Sequence, residues 1–249
     1  MRLRARFVGI LASIAVASTA HASPIGTIDV AGLGNASVSV ATIDFGPPGG
    51  GVGAFLVTAG DGSFAVVPPG SVGTIADLDL TLAPPGPPLG TPVTPFLVAP
   101  NPGALFAFDL RQIALGGGAP CTVAPGVGGS CSPSEIVANT PLLLTQTSTG
   151  VAVSFSVNGV VFDLTDGSSA PYAGLFTMNL TRSEQNTVPE VLAALATPDG
   201  GGTFSSSWSA EFTVVPEPGT TATLALGLAT FAARRARRSD RAGRAATRE

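Results

Sequence analysis

The chain has 249 residues, enough for one large domain or two small ones, and its 6% aromatic and 11% charged fractions are low for a cytosolic globular protein. All twelve cations are arginine, and residues 23–215 hold only Arg111 and Arg182 against thirteen acids, a net charge of −11. That excludes a nucleic-acid binder, which needs clustered cations to neutralise phosphates. The hydrophobic fraction is 45%, much of it Ala and Val, so a thin core rich in small residues is expected.

The chain opens on an export signal. Arg2, Arg4 and Arg6 form a positive region, Phe7 to Ala17 an apolar run, and Ala20, His21 and Ala22 a small-x-small cleavage site before Ser23. Together they read as a secretory signal peptide over 1–22, cut between Ala22 and Ser23. The apolar run is about half of the roughly 20 residues needed to span a bilayer, which argues against a permanent anchor. With no Cys near the cut, lipoprotein processing has no support.

From 23 to 215 period-2 alternation dominates, the mark of half-buried antiparallel strands. Ala76, Leu78, Leu80 and Leu82 oppose Asp77, Asp79 and Thr81. Phe106, Phe108 and Leu110 oppose Ala107, Asp109 and Arg111. Gly- and Pro-rich breaks at 46–53, 68–70, 84–92, 100–103 and 116–130 punctuate the strands without separating domains. The last break holds Cys121 and Cys131, the only cysteines. In an oxidising compartment the pair reads as a disulfide rather than a redox or metal pair, since the spacing is not C-x-x-C and no His is near.

Val151, Val153, Phe155 and Val157 then run into Asn158-Gly159, the preferred two-residue hairpin turn. The expected pairs are Val157 with Val160, Phe155 with Phe162 and Val153 with Leu164. Phe176, Met178 and Leu180 oppose Thr177, Asn179 and Thr181. Residues 188–196 read as the one helix, with Pro189 and Glu190 suited to its first turn. The last strand puts Phe204, Trp208, Ala210, Phe212 and Val214 on one face and Ser205, Ser207, Ser209, Glu211 and Thr213 on the other. Many short strands with one short helix predict an all-β fold, an antiparallel β-sandwich over 23–215.

After Val215 come Pro216, Glu217, Pro218 and Gly219, then an apolar run over 220–233, then Arg234, Arg235, Arg237 and Arg238, with a basic tail over 239–249. The prolines forbid helix before Gly219, the run is a transmembrane helix candidate, and the arginines form a cytoplasmic stop. The run is short: fourteen residues at about 1.5 Å give about 21 Å against a hydrocarbon core near 30 Å. A breaker, short apolar helix and Arg cluster at residues 216–238 resemble the PEP-CTERM sorting signal of exopolysaccharide-producing Gram-negative bacteria. That resemblance implies recognition of Pro216-Glu217-Pro218 by a membrane-embedded exosortase, cleavage nearby and release or transfer of the outer part.

Chemistry is sparse. The single His, His21, lies in the signal peptide and there is no Lys, so Ser-His-Asp, Cys-His and Ser-Lys nucleophiles are excluded from the remainder, as are His-based zinc sites. No Gly-rich phosphate loop precedes a helix. Carboxylates remain: Asp77 with Asp79 on one face, and Asp163, Asp166 and Asp199 near Gly turns, settings that two-carboxylate hydrolysis or Ca²⁺ would use. No catalytic, cofactor or metal residue is therefore assigned. The expectation is an exported, non-enzymatic surface or extracellular-matrix protein. It passes from an inner-membrane-anchored precursor to the cell surface or matrix, with signal peptidase and exosortase as processing partners and exopolysaccharide as a further one. The alternatives are a carbohydrate-binding or Ca²⁺-dependent adhesin module, or a two-carboxylate carbohydrate-active enzyme.

Overall fold

The computed structural model describes residues 23–46, 52–99, 106–136, 138–180, 186–197 and 203–214. The expected signal peptide, the sorting motif, the apolar run, the Arg cluster and Asp199 lie outside them. The strands are β1 (Thr27–Val38), β2 (Thr42–Asp44), β3 (Val52–Gly60), β4 (Val72–Ala76), β5 (Leu78–Asp79), β6 (Val93–Ala99) and β7 (Phe106–Ile113). There follow β8 (Ser130–Cys131), β9 (Leu143–Gln146), β10 (Val151–Asp163), β11 (Ser169–Leu180) and β12 (Phe204–Val214), with one α-helix, α1 (Val188–Leu195), before β12.

The described residues are mostly β with one helix, as expected for 23–215, but the strands do not split into two sheets. β11 pairs with both β10 and β12, and β12 pairs with β1, so β1, β3, β4, β6, β7, β10, β11 and β12 form a closed ring. Every pair around it is antiparallel, and each barrel strand neighbours the next one in sequence. This is an up-and-down barrel rather than the expected sandwich. The physical reason is closure: β1 and β12 bond along their lengths, from Thr27↔Thr213 to Val38↔Phe204, which removes the free edges a sandwich would keep. Alternation along single strands is identical in both architectures. β2 with β5, and β8 with β9, are excursions from the ring.

Apolar side chains point inward. β12 buries Phe204, Ser206, Trp208, Ala210, Phe212 and Val214, and β10 buries Val151, Val153, Phe155, Val157 and Val161. An eight-stranded barrel is just wide enough for side chains to fill. Here Phe45, Phe64, Phe96, Phe106, Phe108, Phe155, Tyr172, Phe176, Trp208 and Phe212 form one connected set of ring contacts with centroids 4.6–6.5 Å apart. The few aromatics are thus concentrated where they fill most volume, and the core is bulkier than composition suggests. Room for them comes from glycine across the ladder: Phe55 lies over Gly73, Phe212 over Gly174 and Tyr172 over Gly159. The outward face of β12 carries Ser205, Ser207, Ser209, Glu211 and Thr213.

The expected hairpin at Asn158-Gly159 is not formed. β10 runs straight through it, with Asn158 opposite Ala173 and Gly159 opposite Tyr172. A Cβ on Gly159 would lie 1.9 Å from the Asp109 carbonyl oxygen, so this glycine serves close packing rather than a turn. The burial phase agrees: 151, 153, 155, 157 and 161 all face inward, whereas Leu164 is exposed. The hairpin lies beyond Asp163, where Gly167 has φ +75° and donates to the Asp163 carbonyl. The expected strand over 76–82 is also broken: Leu78 and Leu80 are buried but Leu82 is 82% exposed, because the chain turns at Asp79, whose carboxylate accepts from the Thr81 and Leu82 amides.

Candidate functional site

Because the strands alternate up and down, β1 starts and β12 ends at the same pole of the barrel. The first and last described segments are both fastened there. The Val214 amide donates to the Gly26 carbonyl at 2.9 Å, and Val214 pairs with Tyr172 on its other side. Residues 25–27 are tied in turn to the corner after β3: Ile25 N–H donates to Ser63 Oγ, Ser63 N–H to Ile25 O, Asp61 N–H to Thr27 O, and Thr27 N–H to Asp61 Oδ1. Gly26, at φ +115°, lies against the Asp61 carbonyl, where a Cβ would sit 2.4 Å from the oxygen. Ser23, the expected first residue after export, is exposed beside this clamp.

The opposite pole carries the elaborated connections. Cys121 and Cys131 are joined in a disulfide, and the loop they close packs near the β9–β10 turn and the start of α1. Gln146 holds these parts together: its Nε2 donates to the carbonyls of Thr147, Gly150 and Asn186, and its Oε1 accepts from Val188 N–H. Glu190 accepts from the Thr187 hydroxyl and then its amide, and these hydrogen bonds lower its pKa. A groove of about 660 Å³ lies here, lined by residues including Pro125, Val127, Thr149 and Asn186, with no charged side chain among the described residues that line it.

The described carboxylates flagged by the sequence, Asp77, Asp79, Asp163 and Asp166, do not converge. Asp77 accepts from Phe45 N–H at 2.8 Å; burial first, then the neighbouring Asp44 carboxylate, raise its pKa. Asp79 instead caps its own turn, and bonds from Thr81 lower its pKa. Asp163 and Asp166 cap the β10–β11 turn, accepting from Thr165 and Ser168 amides. Asp29 and Glu211 are cross-strand partners on the outer face; burial, then Glu211 and Asp61, raise the Asp29 pKa. Among the described residues no three of His, Cys, Asp and Glu gather as a metal site. The aromatic platform a sugar enzyme would use is missing from the surface in one respect: Trp208 and Tyr172 both lie inside the barrel. The Trp208 indole N–H and the Tyr172 hydroxyl are buried there with no hydrogen-bond partner, and burial pushes the tyrosine pKa upward.

Closure of the barrel and the fastening of its ends go beyond the expectations from sequence. The available signal is the unbroken alternation of 204–214, which carries strand structure right up to the Pro-Glu-Pro segment. Among the described residues no helix is long and apolar enough to cross a membrane. No curated protein and no solved structure matches the chain. The family model described as the PEP-CTERM protein-sorting motif matches residues 214–238, so its first residue is the last of β12. The chain carries a match to the PEP-CTERM protein-sorting motif, and that match begins where the closing barrel strand ends.

Proposed function

We propose that this is an exported, non-enzymatic surface or extracellular-matrix protein, a closed β-barrel delivered through its C-terminal sorting motif. The observation that carries the reading is the match at 214–238, placed directly after a strand that completes the fold. Signal peptidase would cut between Ala22 and Ser23. An exosortase would act near Pro216-Glu217-Pro218 while the apolar run holds the precursor in the inner membrane and Arg234, Arg235, Arg237 and Arg238 stop it. The released part, 23 to about 215, would then reside on the cell surface or among exopolysaccharide. An interior filled by aromatic rings and carboxylates engaged in turns support a scaffold over a catalyst.

Replacing Pro216, Glu217 and Pro218 together by Ala tests it in cells that export the protein. The expected outcome is accumulation of uncut precursor in the membrane fraction and loss of the released form. Unchanged release would refute the sorting role.

A further inference from the structure

The pole at which both ends emerge differs from the one opposite. Its connections are short: 61–71, which contains a 3-10 turn (Gly62–Val66), then 100–105 and 164–168. The other pole carries 39–51 with β2, 77–92 with β5, 114–150 with β8, β9 and the disulfide, and 181–203 with α1. Only residues 215–219 separate the end of β12 from the apolar run at 220–233. Five residues span at most about 18 Å when fully extended. Val214 is fastened to Gly26 and Tyr172, so that span cannot lengthen without breaking the barrel's closing strand.

We propose that the uncut precursor stands on the lipid bilayer on this pole, with the β10–β11 turn and the Ile25 segment facing lipid and the elaborated pole facing outward. The proposal rests on the reading of 220–233 as a membrane anchor. Ile25 is 57% and Leu164 54% exposed at the pole, giving aliphatic tips that a headgroup region accommodates. Asp61 and Asp163 lie there too, so charge does not draw the pole to an anionic leaflet; the short tether does, by raising its effective concentration at the surface. The outward pole then presents the disulfide loop, the groove beside Gln146 and the exposed Leu82. Loops held on a rigid scaffold are where contacts with partners concentrate.

The test uses the precursor with its C-terminus intact in phosphatidylcholine vesicles, carrying a photo-crosslinking side chain at Leu164, at Ile25 or at Leu82. All three are exposed, so the fold tolerates them. The thirteen residues of β10 at about 3.3 Å each separate the poles by tens of ångströms even when tilted. Lipid adducts are expected at 164 and 25, an order of magnitude above those at 82. Equal adducts at all three positions in precursor that floats with the vesicles overturn the orientation alone. Precursor that does not float overturns the orientation and the anchored-precursor reading together. In exporting cells, adducts from 164 to protein in place of lipid overturn the choice of lipid as the contacted surface.

Discussion

Two side chains show how much of this fold is decided by local chemistry. Tyr172 fills the barrel with its ring against Phe108 and Phe212, but its hydroxyl has no partner. A buried, unpaired hydroxyl costs about 1–3 kcal/mol of desolvation, and the ring alone supplies the packing. Tyr172→Phe is therefore expected to raise stability by about 1 kcal/mol in chemical denaturation; a loss would mean that the hydroxyl is bonded. Asp29 faces Glu211 directly across the ladder, an arrangement that costs roughly 0.2–1 kcal/mol when both are ionised. Its folded pKa is raised above the ordinary 3.8, so the fold is penalised at pH above the raised value and relieved as pH falls through it. A neutral amide in place of the carboxylate removes the penalty. Asp29→Asn should raise the melting temperature at pH 7, and the gain should vanish as the pH falls below the ordinary carboxylate range. An equal gain at both ends would exclude the charge as cause.

At the scale of elements, β10 and α1 make an instructive pair. The helix is legible because its signals are local: Pro189 and Glu190 sit in a first turn, and Val188, Val191 and Leu195 form the buried stripe. The interior of β10 misleads because Asn158-Gly159 carries the same residues as a hairpin turn while serving another purpose. Gly159 lets Tyr172 and the Asp109 carbonyl approach the strand, a tertiary demand that no local window contains. The burial phase from 151 to 161 distinguishes the two, since a two-residue turn would put Val160 and Phe162 inward, and Val161 is inward instead. Gly159→Ala should accordingly be destabilising by roughly 1–3 kcal/mol, because the added carbon meets backbone. If the site were an exposed turn, the substitution would cost far less, and thermal denaturation separates the two outcomes.

Over the whole molecule, alternation reveals the strands and composition reveals export-like chemistry, but neither contains the pairing of first strand with last. That pairing converts a sheet into a barrel, and it also brings Gly26 to Val214 and so the two ends of the exported part to one pole. The sorting motif is legible because it is a linear signal: prolines, an apolar run and arginines in order, matched over 214–238. Its relation to the fold is not, since nothing in 215–219 announces that the preceding residue is clamped. A barrel that ends where its address begins can lose the address without losing a strand. Intact-mass measurement of the exported protein tests this most directly. The account predicts a chain that begins at Ser23 and ends after Val214 but before Arg234, with β12 complete; a mass corresponding to a chain running through to Glu249, or ending within 204–213, would contradict it.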